Sequence, residues 1–133
     1  MVSIFWGDYD GMIFVFGSNL AGRHGAGAAL YALKYHGAIY GQGLGMQGNS
    51  YAIPTKDERM KTLPLQEIKK YVVQFINYAT LHSTLQFKLT RVGCGFAGYK
   101  DSEIIGLFPR VIPRNIYVPP EWKEFFPNNF NWN

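Results

Sequence analysis

The sequence predicts an α/β sandwich built on a largely parallel sheet. Three observations carry that expectation: short apolar runs alternate with amphipathic stretches, two of those runs end in glycine-rich turns, and no repeat or low-complexity linker divides the chain. At 133 residues the chain has the length of one domain and can bury an ordinary core without disulfides or metals. A single domain spanning residues 1–133 is therefore expected.

The elements follow in order. Residues 2–6 and 12–16 are apolar runs that read as strands, the second bounded by Gly11 and Gly17. Residues 26–36 place Ala26, Ala29, Leu30 and Leu33 at helical spacing, with Gly37 set to end the helix. Past a glycine-rich stretch at 41–48, Tyr51, Ala52 and Ile53 make a short strand before Pro54. Thr62 and Pro64 open a second helix, where Leu65, Ile68, Val72, Phe75, Ile76 and Ala79 share one stripe while Lys69, Lys70, Gln74 and Asn77 face water. Residues 87–92 read as a strand, and Asp101 is placed to cap a short helix carrying Ile104, Ile105, Leu107 and Phe108. Residues 115–118 form a last strand closed by Pro119 and Pro120. The aromatic stretch at 121–133 is expected to pack on the domain or on a partner.

Composition narrows the function classes. Thirteen Lys and Arg against nine Asp and Glu leave a net charge of +4 with no dense basic block, which favours anionic ligands without establishing nucleic-acid binding. Ten Phe, nine Tyr and three Trp supply rings for a core and for stacking on a flat ligand. Cys94, the single cysteine, excludes an intramolecular disulfide framework, and a zinc cage needs several ligands. Residues 1–7 hold an apolar patch too short for a membrane span, with no basic leader or small-residue cleavage site, so a cytoplasmic protein without a membrane partner is expected.

The two glycine turns are the candidate site. One follows residues 13–16 and runs through Gly17, Ser18 and Asn19 to Gly25, Ala26, Gly27 and Ala28; the other is Gly93, Cys94, Gly95, Phe96, Ala97, Gly98 and Tyr99. Glycine lets the main chain approach a ligand closely, and N–H groups at a strand-to-helix turn point at an anion. Ligands of open α/β sheets lie beyond the carboxyl ends of the strands, where both turns fall. A pair of such turns can hold a diphosphate. Asn19 is either a turn-former or a contact to a ligand hydroxyl. Lys56 is a solvated charge, a binding cation or an amine nucleophile. Cys94 is a small buried apolar residue or a reactive thiol. His24 is a solvated loop residue or a ligand contact, and Phe96 and Tyr99 belong to the core or stack on the ligand, Tyr99 being the stronger candidate.

Taken in sequence, Gly7-Asp8, Asn19 and Gly25-Ala26-Gly27-Ala28-Ala29 give the chain the motif order of the macro domain, which it resembles from about Gly7 to Val118. Tyr51-Ala52-Ile53-Pro54-Thr55-Lys56 and Arg91-Val92-Gly93-Cys94-Gly95 resemble more closely the branch of terminal ADP-ribose protein glycohydrolases and DNA-base ADP-ribosyl hydrolases. The resemblance implies a three-layer α/β/α sandwich with a mixed, mostly parallel sheet that binds ADP-ribose or a related nucleotide between its two glycine-rich loops. It implies that Asp8 contacts the adenine amino group and Asn19 the distal ribose. The main chain of Gly25 to Ala28 and of Gly93 to Gly98 would hold the diphosphate, and Lys56 matches the lysine that attacks the anomeric carbon. The hydrolytic branch carries an Asp where this chain has Ala97, so Asp57 or Asp101 would have to serve as acid or base. The implied activities are ADP-ribose binding or removal of ADP-ribose from protein or DNA, the alternative being a catalytically inert interaction or nucleic-acid-binding module. No cofactor or metal is implied.

Overall fold

The computed structural model describes residues 11–127 and residue 129. The expected strand at 2–6, the Gly7-Asp8 pair and the end of the C-terminal stretch lie outside these residues.

The chain runs β1 (Ile13–Asn19), α1 (Gly27–Tyr35), β2 (Gly45–Gln47), β3 (Ser50–Lys56), α2 (Leu65–Leu81), β4 (Phe87–Leu89), α3 (Asp101–Ile105), β5 (Ile116–Tyr117) and a 3₁₀ helix (Pro120–Phe125). Among the described residues the strands form one sheet in the order β2-β3-β1-β4-β5. β1 pairs in parallel with β3 and β4, β4 pairs in parallel with β5, and β2 is the antiparallel edge beside β3.

Alternation along the central strands divides the core into two layers. Phe14 and Phe16 of β1 and Ala52 of β3 face α1, whose Ala29 and Ala32 are small enough to let that helix sit close on the sheet. Ile13 and Val15, with Tyr51 and Ile53, face the opposite way and meet Ile68, Val72, Phe75 and Ala79 of α2. Each large side chain buried there contributes on the order of 2 kcal/mol. Helices on both faces of a mixed, mostly parallel sheet make the three-layer α/β/α sandwich.

The boundaries depart from the sequence reading at identifiable places. β3 runs through Pro54 to Lys56, because Pro54 lies beyond the last residue paired to β2 and beside an irregularity between Ser18 and Asn19, where a missing N–H costs no ladder bond. β1 likewise continues to Asn19. β4 stops at Leu89, since Thr90 turns both its N–H and its hydroxyl onto the Val15 carbonyl. Strand β2 and the 3₁₀ helix are additions that periodicity did not suggest.

At α3 the cap position falls to Lys100, whose N–H donates to the Glu103 carboxylate at 2.9 Å. Asp101 does not cap that helix. Its carboxylate accepts two bonds from Arg91 and one from the Trp122 indole. Residues 121–127 of the C-terminal stretch join the core, with Trp122 fully buried and Phe126 nearly so. No helix among the described residues is long and apolar enough to cross a membrane.

Candidate functional site

Both glycine turns open onto one cleft of about 810 Å³ at the carboxyl ends of β1, β3 and β4, a volume suited to a small organic ligand. From the first turn come Asn19, Arg23 and residues 25–29; from the second, residues 90–97; Thr55 and Lys56 arrive from β3, and Tyr40 and Met60 from neighbouring loops.

The first turn is shaped from within. Asn19 is buried, and its amide makes two 2.9 Å bonds to the main chain of Arg23, donating from Nδ2 to the carbonyl and accepting at Oδ1 from the N–H. Those polar atoms hold the loop that faces the cleft. The glycine-rich stretch at 41–43 forms its seat, where Gly22 packs on the main chain of Gly41 and Gly43 on the carbonyl of Asn19, with no room for a β-carbon at either. The Ser18 hydroxyl donates to the Gly43 carbonyl, and the Gly41 N–H donates to the Gly22 carbonyl at 2.8 Å.

His24 is fully buried, outside the cleft lining. Its Nε2 donates to the Gln42 carbonyl at 2.9 Å, which ties the turn to the same seat. Helix α1 then begins at Gly27 with no side-chain cap, so the N–H groups of its first turn stay available at the cleft wall.

The second turn is braced from the other side. The Ala97 carbonyl accepts from the Thr62 hydroxyl at 3.1 Å, and the Tyr99 hydroxyl donates to the Leu63 carbonyl at 2.6 Å. Gly98 and Tyr99 therefore stand outside the cleft lining, Tyr99 against the core. Of the two aromatic residues in the second turn, Phe96 is the one that lines the cleft. It is 73% exposed, with the Lys56 Nζ 5.7 Å from its ring centroid.

Charge divides unevenly around the cleft. Arg23, Lys56 and Arg91 line it, whereas no carboxylate does among the described residues. Arg91 is compensated: its Nε and Nη2 form a fork on Asp101 at 2.9 and 2.7 Å, with Glu121 at 3.9 Å. The Arg91 bonds, followed by the Trp122 indole, hold the Asp101 carboxyl well below the usual carboxylate range. Asp57 is equally committed, its Oδ1 accepting the N–H groups of Arg59 and Lys61 at 2.8 and 2.9 Å. Neither of these carboxylates lines the cleft. Among the described residues Arg23 and Lys56 have no carboxylate partner, which leaves two uncompensated cations.

Cys94 lines the cleft, but burial first and Asp101 second push its thiol up to about 12, so it is protonated at neutral pH. No group of three or more His, Cys, Asp or Glu among the described residues is arranged to hold a metal.

Of the residues expected at the site, Asn19, Gly25 to Ala28, Lys56 and Gly93 to Ala97 meet in the cleft, while Asp57, Gly98, Tyr99 and Asp101 lie outside its lining and Asp8 outside the described residues. Arg23, Tyr40 and Met60 join it without having been expected. Arg23 had a legible signal, a cation inside a glycine turn. No family model, curated protein or solved structure matches the chain.

Proposed function

We propose that the cleft binds ADP-ribose or a related nucleotide diphosphate in the manner of a macro domain. One observation carries the reading. Residues of two separate glycine turns line a single cleft with two uncompensated cations, Arg23 and Lys56, the uncapped start of α1 and no lining carboxylate among the described residues. A diphosphate diester carries two negative charges, so its charge matches that of the wall. Amide donors held by the fold spend little free energy on reorganisation when the anion arrives.

Binding is favoured over turnover. Hydrolysis through Lys56 requires an acid or base at the anomeric carbon, and the two carboxylates considered for it are spent elsewhere, Asp57 on its own turn and Asp101 on Arg91 and Trp122. Titration calorimetry with ADP-ribose, ADP and NAD tests the reading. Saturable heats with ADP-ribose are expected, and no binding at millimolar ligand overturns it.

A further inference from the structure

Met60 stands in a conformation that its residue type resists. Its φ is +68°, the one positive value outside glycine among the described residues, and an L side chain there crowds its own carbonyl. The cause is the turn it belongs to. The Asp57 N–H donates to the Lys61 carbonyl at 2.7 Å, and the Met60 N–H donates to the Asp57 carbonyl at 3.0 Å. This is a tight turn followed by a left-handed residue, a position that ordinarily takes glycine. The Asp57 carboxylate closes it from inside through the N–H groups of Arg59 and Lys61, and an antiparallel bridge between Lys56 and Thr62 closes its base.

The turn thus holds methionine where glycine would relieve the backbone, and Met60 lines the cleft that Lys56 also lines while remaining 39% exposed. Strain kept at the rim of a ligand cleft is accounted for when the side chain itself is used. A thioether is apolar, flexible and polarizable, suited to the carbon face of a sugar ring and not to a phosphate. We propose that Met60 is a specificity-determining residue of the cleft, packing against the sugar that a nucleotide diphosphate carries beyond its second phosphate. This rests on the nucleotide reading above and names the part of the ligand that Met60 discriminates.

Calorimetry of the full chain and its Met60→Gly variant with ADP-ribose and with ADP, which lacks the second sugar, separates the two ideas. The variant should weaken ADP-ribose binding about tenfold and change ADP binding by less than about twofold. Met60→Asn, a residue that tolerates the left-handed region, should reproduce that split if the glycine variant folds poorly. Equal loss for both ligands, or loss for neither, overturns the role of Met60 while leaving the cleft reading intact. A wild-type chain that binds neither ligand overturns the cleft reading and this inference with it.

Discussion

The ring of Phe96 rests on the main chain of Gly27, so that a β-carbon built at Gly27 would meet Phe96 Cε2 at 2.7 Å. The two glycine turns therefore touch across the cleft at a point where one has no side chain and the other has a large one. Gly27 also has a φ of +57°, which glycine adopts freely and alanine does not. Gly27→Ala should cost about 1 kcal/mol of stability and displace Phe96, lowering both the melting temperature and the affinity for ADP-ribose. Gly25, with open space around it, is the control: Gly25→Ala should melt close to wild type. Equal melting temperatures for the two variants would remove this account of the contact.

Lys56 has a different part to play. Lys56→Met keeps the apolar stem and removes a cation that has no carboxylate partner among the described residues. Diphosphate affinity should fall by about tenfold or more at low salt, and the salt dependence of binding should become shallower. Calorimetry across a salt series reads both effects, and a wild-type slope would show that Lys56 does not meet the anion.

The fork between Asp101 and Arg91 predicts a pH dependence with a defined sign. The folded carboxyl titrates below its ordinary value of 3.8, so the stability it contributes is fully present above that value and is lost as pH falls through the lowered one. Asp101→Asn should melt lower than wild type at pH 7, and the gap should narrow progressively as pH drops below about 4. The pair is partly exposed, with 46% and 34% of the two side chains accessible, which keeps the gap modest. Melting curves between pH 7 and pH 2 check this, and a gap at pH 2 as wide as at pH 7 contradicts it.

Cys94 offers a simple chemical check. With its thiol pushed up to about 12, the nucleophilic thiolate is scarce at neutral pH. An aromatic disulfide reagent should react slowly with the native chain at pH 7.5 and rapidly once the chain is unfolded in denaturant, a pH within the ordinary assay range for thiols. Fast native labelling would show a reactive thiol.

Much of this architecture is legible in the chain because it rests on local rules. Helix α2 could be read from six apolar residues on one stripe, and the glycine turns from their placement after β1 and β4. Less legible were features decided between distant segments. Pro54 suggested that β3 ends at Ile53, since nothing local shows that β2 has already ended beside it. The carboxylates of Asp57 and Asp101 look available in sequence and are spent in three dimensions, one on the two amides of its own turn and the other on Arg91 and Trp122. Tyr99 and Phe96 exchanged places for the same reason, because only the fold reveals that the Leu63 carbonyl awaits the tyrosine hydroxyl. The purpose of the glycines at 41–43 was likewise invisible until Gly22 and Asn19 were seen lying on them.

That backbone-to-backbone seat bears on how fast a ligand is captured. Gly22 meets Gly41, and Gly43 meets Asn19, main chain on main chain, so this wall of the cleft is set as the chain folds and its ordering entropy is settled then. Encounter should then proceed as a near rigid-body collision, with association rates that respond to ionic strength more than to temperature-dependent loop rearrangement.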